Sequence, residues 1–318
     1  MKKLLIFVLL VFVVAFVATV FFAWRNPLAI FNMQNRRELT KAGFIKLRVT
    51  AKPGEQVVFE KGSGPILLLL HGAGDQAGSW SKSAPDLATR YHVLVLDLAG
   101  HGESAPSSGN LPLGTILDGL EGVISAKAPN SRVILVGNSL GGWMAMYYAY
   151  EHPEKVERIV AIDGGPLRGE RPDLVSLPKN REEAAKIFDA ILDPGSLHPA
   201  GFVLDDVVRQ AQSGPIGRMA ACGLPEMSKY LLDGKLAALK TPVDLVWGES
   251  DRMIPLDYAE RMRNELPAAR LATIPRCGHV PQQECPKSFN GVLASVLARP
   301  APEPKASALA PLEKVKVP

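Results

Sequence analysis

This chain has little excess charge of either sign. Its 318 residues carry a net charge of +4, and that surplus sits at one end. Residues 1–50 hold eight Lys or Arg against a single acid, Glu38, which leaves 28 bases and 31 acids for the remainder. A nearly neutral body gives no electrostatic footprint for a nucleic acid. Cysteine is also scarce. Cys222, Cys277 and Cys285 are odd in number and lack metal-ligand spacing, so neither a metal centre nor a disulfide framework is expected. Cys277 and Cys285 bracket His279 and could pair, but buried free thiols are the expectation. No internal repeat is present. What remains is 47% hydrophobic and 21% charged, a globular composition with room for one large α/β core and an insertion.

The N-terminus holds the one long apolar run. Residues 4–24 carry no charge, with Lys2 and Lys3 before them and Arg25 after. As a helix, 21 residues span about 31 Å, which matches a hydrocarbon core of about 30 Å. A cleaved signal peptide has a shorter apolar region, about 7–15 residues, and ends at a small-x-small site. Here Ala23 is preceded two positions earlier by bulky Phe21. The run therefore predicts an uncleaved transmembrane anchor over 1–24, followed by a basic connector over 25–48. The flanking charge is nearly balanced and leans towards the short end inside and the large domain outside.

Beyond the connector, strand-like runs lie at 56–60, 66–70, 92–96, 133–136, 158–162, 243–247 and 271–274. Several are continuously apolar, as strands buried on both faces of a parallel sheet are. Helical patterns fall between them at 84–90, 115–126, 140–150, 256–266 and 286–297. This alternation predicts a doubly wound, mostly parallel α/β domain over 49–298. The rhythm breaks over about 166–240, too long for a βα connection, and helical segments at 182–192 and 204–212 mark it as an inserted helical cap. Residues 299–318, rich in Pro, Ala and Lys, predict a disordered tail.

Gly137-Asn138-Ser139-Leu140-Gly141 carries the chemistry. It is a G-x-S-x-G pentapeptide between the apolar run 133–136 and a helical run. A serine on so tight a strand-to-helix turn presents its hydroxyl, and any Cβ on the flanking glycines would strike neighbouring backbone. A serine hydroxyl needs an adjacent base. Of six histidines, His279 follows the last strand-like run and so lies at the carboxyl edge of the sheet, where Ser139 also emerges. His71 and His101 lie in glycine-rich loops and are expected to fix them by hydrogen bonding. His92 begins a strand, His152 ends a helix, and His198 has at most a contact role in the cap.

The base needs an acid. Asp251, on the loop after 243–247, gives the chain order Ser, Asp, His; Asp163, after 158–162, is its rival, and Glu249 reads as a solvated turn residue. Oxyanion donors are expected from Leu140 N–H and from the loop His71-Gly72-Ala73-Gly74, with Ala73 N–H as the second donor and Gly74 as the fallback. Trp143 and Met146 recur at helical spacing and read as core. Met227 and Tyr230 could line a pocket or form the cap's own core.

These motifs resemble the α/β-hydrolase superfamily over residues 50 to 298. His71-Gly72-Ala73-Gly74 with Trp80 resembles its oxyanion loop, and the segment from Asp97 to Ser104 its characteristic loop after the next strand. Gly137 to Gly142 is similar to its nucleophile elbow, and Gly278-His279-Val280-Pro281 to its histidine loop. The resemblance implies a capped serine esterase or lipase-like enzyme with Ser139, Asp251 and His279 as its triad. A serine rather than an aspartate at 139 argues against the dehalogenase and epoxide hydrolase branches. Esterases, lysophospholipase-like lipases and carbon–carbon bond hydrolases stay open, as does a non-catalytic ligand-binding member of the fold. Such a triad needs no metal or organic cofactor. The expected partners are a small-molecule or lipid ester and a membrane.

Overall fold

Alternation along the strands divides the hydrophobic core in two. In a strand, successive side chains point to opposite faces. Leu68, Leu70, Leu94, Leu96 and Leu135 pack on one face of the sheet, and Leu67, Leu69, Val93, Val95 and Val136 on the other. The computed structural model describes residues 2–169 and 177–303. Among these, eight strands form one sheet: β1 (Ile45–Ala51), β2 (Gly54–Lys61), β3 (Ile66–Leu70), β4 (His92–Leu96), β5 (Val133–Asn138), β6 (Val156–Ile162), β7 (Val243–Gly248) and β8 (Arg270–Ile274).

Their order is β1-β2-β4-β3-β5-β6-β7-β8, with β1–β2 and β2–β4 antiparallel and every other pairing parallel. From β3 the chain winds one way to β4, and from β5 it winds the other way to β8. The loops that leave β3 and β5 therefore diverge at a topological switch point, where α/β sheets bind ligands. Leu70 pairs with Gly137 at that point. The register alone thus sets the loop beginning at His71 beside Ser139.

Helices cover both faces. In chain order they are α1 (Lys2–Arg25), α2 (Pro27–Lys41), α3 (Ala84–Leu87), α4 (Leu113–Lys127), α5 (Leu140–Glu151), α6 (Arg181–Ile191), α7 (Gly201–Ser213), α8 (Pro215–Ala220), α9 (Leu224–Ser228), α10 (Leu256–Glu265), α11 (Pro281–Glu284) and α12 (Pro286–Ala298). Helices α4, α5 and α10 pack on the first core; α3 and α12 pack on the second, where Trp80 meets Phe289. Helices α6–α9 are inserted between β6 and β7. Asn180 starts α6 by accepting a hydrogen bond from Glu183 N–H at 2.9 Å, with Glu182 and Glu183 in the positive first turn. Residues 304–318, most of the expected tail, lie outside the described residues, as do 170–176 of the expected cap.

The basic connector expected over 25–48 is itself structured. Asn26 joins α1 to α2, and β1 begins at Ile45. Leu39 of α2 is fully buried in the second core with Phe44, Phe59 and Trp80. Arg36 Nη2 donates to Asp97 Oδ2 at 2.7 Å, and the same carboxylate accepts Ala77 N–H at 2.7 Å and Glu103 N–H at 2.9 Å. One buried carboxylate thus joins α2, the turn below the His71 loop and the loop after β4. Helix α1 is apolar and exposed, and Ile6–Arg25 is long and apolar enough to cross a membrane.

His71 and His101 hold the loops in which they lie. Leu98 N–H donates to His71 Nε2 at 3.0 Å, so Nδ1 carries the proton and donates to Gly72 O at 2.7 Å. His101 Nδ1 donates to Ala99 O at 3.1 Å. Burial pushes the His71 imidazole down to about 4 and that of His101 to about 3.

Two outcomes follow. Leu39→Ala is expected to lower unfolding free energy by about 2–5 kcal/mol, the usual cost of emptying a packed leucine site. A urea melt of the detergent-solubilised protein checks this, and a loss under about 0.5 kcal/mol would mean that α2 is only a tether. The two histidines set a pH dependence. Their folded pKa values lie below the usual 6.5, so the unfolded chain takes up protons first as pH falls. Stability is therefore full above about pH 6.5 and is lost below it, by up to about 1.4 kcal/mol per pH unit for each histidine. Urea midpoints at pH 7.5 and 5 read this out, and equal midpoints would contradict it.

Candidate active site

Ser139 stands between β5 and α5 with φ 52° and ψ −116°. A non-glycine residue in this region costs about 1–3 kcal/mol and persists only where its surroundings enforce it. Ser139 N–H bonds Ile162 O of the next strand at 2.8 Å, and Ser139 O accepts Trp143 N–H at 3.0 Å. The turn closes only around missing side chains. A Cβ on Gly137 would lie 2.3 Å from Gly141 C, and one on Gly141 would lie 2.4 Å from Leu70 O. The steric requirement read from the pentapeptide is therefore met on both sides of the serine.

Three distant side chains meet here. Ser139 Oγ lies 2.9 Å from His279 Nε2, and His279 Nδ1 lies 2.7 Å from Asp251 Oδ2. Asp251 is held by its second oxygen, Oδ1, which accepts Met253 N–H at 2.8 Å and Ile254 N–H at 2.9 Å. With Asp251 as acceptor, Nδ1 carries the imidazole proton, which leaves Nε2 free to accept from the serine hydroxyl. His279 and Asp251 are buried and Ser139 is half-buried, so the array is screened from water yet open at the serine hydroxyl.

Asp163 lies beside Asp251 but does not contact the histidine. It too lies in the left-handed region, at φ 47°, but its Oδ1 accepts Gly248 N–H at 2.8 Å and so supports the loop after β7. Complete burial, with the neighbouring Asp251 charge, pushes its carboxyl well above the usual carboxylate range. His279 contacts Asp251, not this rival. Glu249 is exposed and accepts Thr273 Oγ1–H.

The loop after β3 lies against the serine. A Cβ on Gly72 would come within 3.3 Å of Ser139 Cβ, and Ala73 follows it at the surface. Gly74 adopts φ 74°. Leu140 opens α5, where the first N–H groups have no acceptor within the helix. In the same loop, Asp75 accepts Gln76 N–H and Gln283 Nε2–H, each at 2.8 Å, which ties it to α11 behind His279. Desolvation pushes the Asp75 carboxyl up to about 7.

Some site contacts were not anticipated. Asn138 Nδ2 donates to His279 O at 2.9 Å, and its Oδ1 accepts Gln282 Nε2–H at 3.1 Å. This clamp locks the elbow to the histidine loop. The available signal was a polar residue at the end of an apolar strand. Glu284 accepts Gly278 N–H at 2.6 Å, and Asp193 N–H at 2.7 Å, linking that loop to the insertion.

The cysteine expectation is corrected. Cys277 and Cys285 form a disulfide, because the single turn of α11 brings their Cα atoms to 6.0 Å. Only Cys222 is free among the described residues. His198 is remote from the triad contacts; it is exposed and lies 3.0 Å from Asp189. Met146 is buried in the first core, and Trp143, Met227 and Tyr230 pack against it. Trp143 Nε1 donates to Tyr230 O at 2.7 Å, binding α5 to the insertion.

With this geometry established, comparison with known proteins is informative. The chain is 27% identical to a membrane phospholipase A that is a bacterial virulence factor; the crystal structure superposes with a TM-score of 0.74, covering 93% of this chain and 98% of that one. A pimeloyl-[acyl-carrier protein] methyl ester esterase of Nitrosomonas europaea is 28% identical over 244 residues, 72% of this chain and 94% of the relative. A 2-hydroxy-6-oxo-6-phenylhexa-2,4-dienoate hydrolase of Burkholderia cepacia is 27% identical over 270 residues, 75% of this chain and 90% of the relative. The model of the alpha/beta hydrolase family matches residues 67–292, which run from β3 into α12 and include the serine, the aspartate and the histidine. By that match and by its sheet, this chain belongs to the alpha/beta hydrolase family.

Proposed function

We propose that this protein is a membrane-anchored serine hydrolase that cleaves an ester-like acyl substrate. The observation that carries the reading is the pair of hydrogen bonds made by His279, 2.9 Å to Ser139 Oγ and 2.7 Å to Asp251 Oδ2. Ser139 Oγ attacks the acyl carbon and passes its proton to His279 Nε2. Asp251 balances the imidazolium and keeps the ring in place. The N–H groups of Ala73 and Leu140 receive the oxyanion, each such donor being worth about 2.7–4 kcal/mol. The bond to the leaving alcohol breaks as His279 returns the proton to it. Water then attacks the acyl-enzyme through the same histidine and frees the acid.

Helix α1 supports the anchor, since Ile6–Arg25 is exposed along its length, and the similar phospholipase is a membrane protein. The Cys277–Cys285 bridge supports an outer or periplasmic site for the catalytic body, because disulfides persist in oxidising compartments. A second reading, carbon–carbon bond hydrolysis on the same triad, draws on the relative from Burkholderia cepacia.

Ser139→Ala is expected to abolish hydrolysis of short p-nitrophenyl esters, a loss of about a million-fold in kcat, and to abolish labelling by a fluorophosphonate probe. Retained turnover would remove Ser139 from the mechanism. A chain starting at Arg25 is expected to lose activity on esters held in vesicles and to keep it on soluble esters. Equal losses on both would sever the anchor from substrate choice.

A further inference from the structure

Asp163 is a buried acid that the triad does not use, and one of its oxygens is idle. The residue follows β6 directly and is fully buried. Oδ1 accepts Gly248 N–H at 2.8 Å, but among the described residues nothing donates to Oδ2. An ionised carboxylate is not stable in dry protein with half of its acceptor capacity empty. The charges that bear on it are negative, those of Asp251 from the loop after β7 and Glu284 of α11, with His279 beyond Asp251. Burial and these neighbours push its carboxyl well above the usual carboxylate range.

The backbone holds the two aspartates together. Gly248 offers its N–H to Asp163 Oδ1, and its carbonyl accepts Asp251 N–H at 3.2 Å. Asp163 N–H is itself bonded to Val246 O at 3.1 Å, and Gly164 packs so tightly on the elbow that a Cβ there would lie 2.3 Å from Ser139 O. The two carboxyl groups are thereby within hydrogen-bonding reach of each other. Two carboxylates at such range repel, and a shared proton removes the repulsion. Asp251 is the wrong place for that proton. Its Oδ1 accepts Met253 N–H and Ile254 N–H, and its Oδ2 faces His279 Nδ1 at 2.7 Å; all three contacts favour the charged form. Asp163 has one donor and a vacant oxygen, so the proton belongs there.

We propose that Asp163 is a neutral carboxylic acid whose Oδ2–H donates to the Asp251 carboxylate, which makes it a positioning residue behind the triad. The proposal rests on the serine-hydrolase reading above and adds an uncharged fourth group to it. The bond fixes Asp251 from the side opposite the histidine. It also draws off part of the Asp251 charge, so that the imidazolium formed during attack is steadied without being held too firmly to return its proton to the leaving group.

The test compares the full-length parent with Asp163→Asn, Asp163→Ala and Asp251→Asn in an ester-free detergent. At about pH 8.5 ordinary carboxyls are ionised, and Asp75, pushed up to about 7, is largely so. The infrared difference between parent and Asp163→Asn is then expected to contain the carbonyl stretch of one protonated carboxyl, displaced in D2O. Loss of a carboxylate band in its place overturns the proposal. Asp251→Asn is expected to shift or remove the same stretch, and a stretch indifferent to that change overturns the contact. Hydrolysis of p-nitrophenyl butyrate gives a second readout. Asp163→Asn exchanges one neutral donor for another, so the acid limb of its kcat/KM profile is expected to stay in place; a limb moved to lower pH means that a negative charge was lost, and refutes the assignment. Asp163→Ala removes the donor and is expected to cost about ten-fold in kcat/KM. Its acid limb is expected to move to higher pH, because the full Asp251 charge then bears on His279. An Ala variant with both quantities unchanged excludes the positioning role, and if that variant does not fold, the infrared bands and the Asn profile still decide. Failure of the underlying reading is separable: the bands need no turnover, so a protein that hydrolyses nothing still reports where this proton resides.

Discussion

A serine held in the left-handed region of backbone space is the constraint around which this molecule is built. At φ 52° Ser139 cannot relax without dragging β5 or α5 with it. The strain is offset by the parallel ladder on one side and by helix packing on the other, both deep in the core. That turn fixes more than one hydroxyl. Gly72 packs on Ser139, so the loop after β3 takes its position from the elbow. Asn138, one residue earlier, holds the backbone of His279. His279 and the loop after β3 are therefore both referenced to the same two residues.

Much of this was legible in the sequence, and the reason is physical. Buried parallel strands are continuously apolar, so 66–70 and 133–136 stand out without help from context. Ser139, Asp251 and His279 each lie just after a strand, β5, β7 and β8, where spacing exposes them. Strand β1 was hidden because it is a half-exposed edge. Its alternation of Ile45, Leu47 and Val49 with Lys46, Arg48 and Thr50 is the mark of such a strand, but its charge read as connector. Helix α2 was hidden for a related reason. Only Leu39 of its residues is fully buried, so a mainly polar helix contributes a single side chain to the core.

Chain order favoured Asp251 over Asp163, although both follow strands at the same edge. In the structure the loop after β7 holds Asp251 Oδ1 with its backbone N–H groups at Met253 and Ile254, and its other oxygen meets His279. The disulfide was out of reach. Seven residues between two cysteines say little until a helical turn folds them back, and the closing of that short loop confines the segment bearing His279.

Helix α2 couples the apolar N-terminus to the hydrolase body through Leu39 and through Arg36 on Asp97. Under the anchored reading proposed above, a body clamped in this way would not swing on a leash but would ride at one height and one tilt over the leaflet that carries it. Encounters with a substrate held in that leaflet would then be governed by lateral diffusion in two dimensions, and the concentration that matters would be a mole fraction rather than an amount per litre.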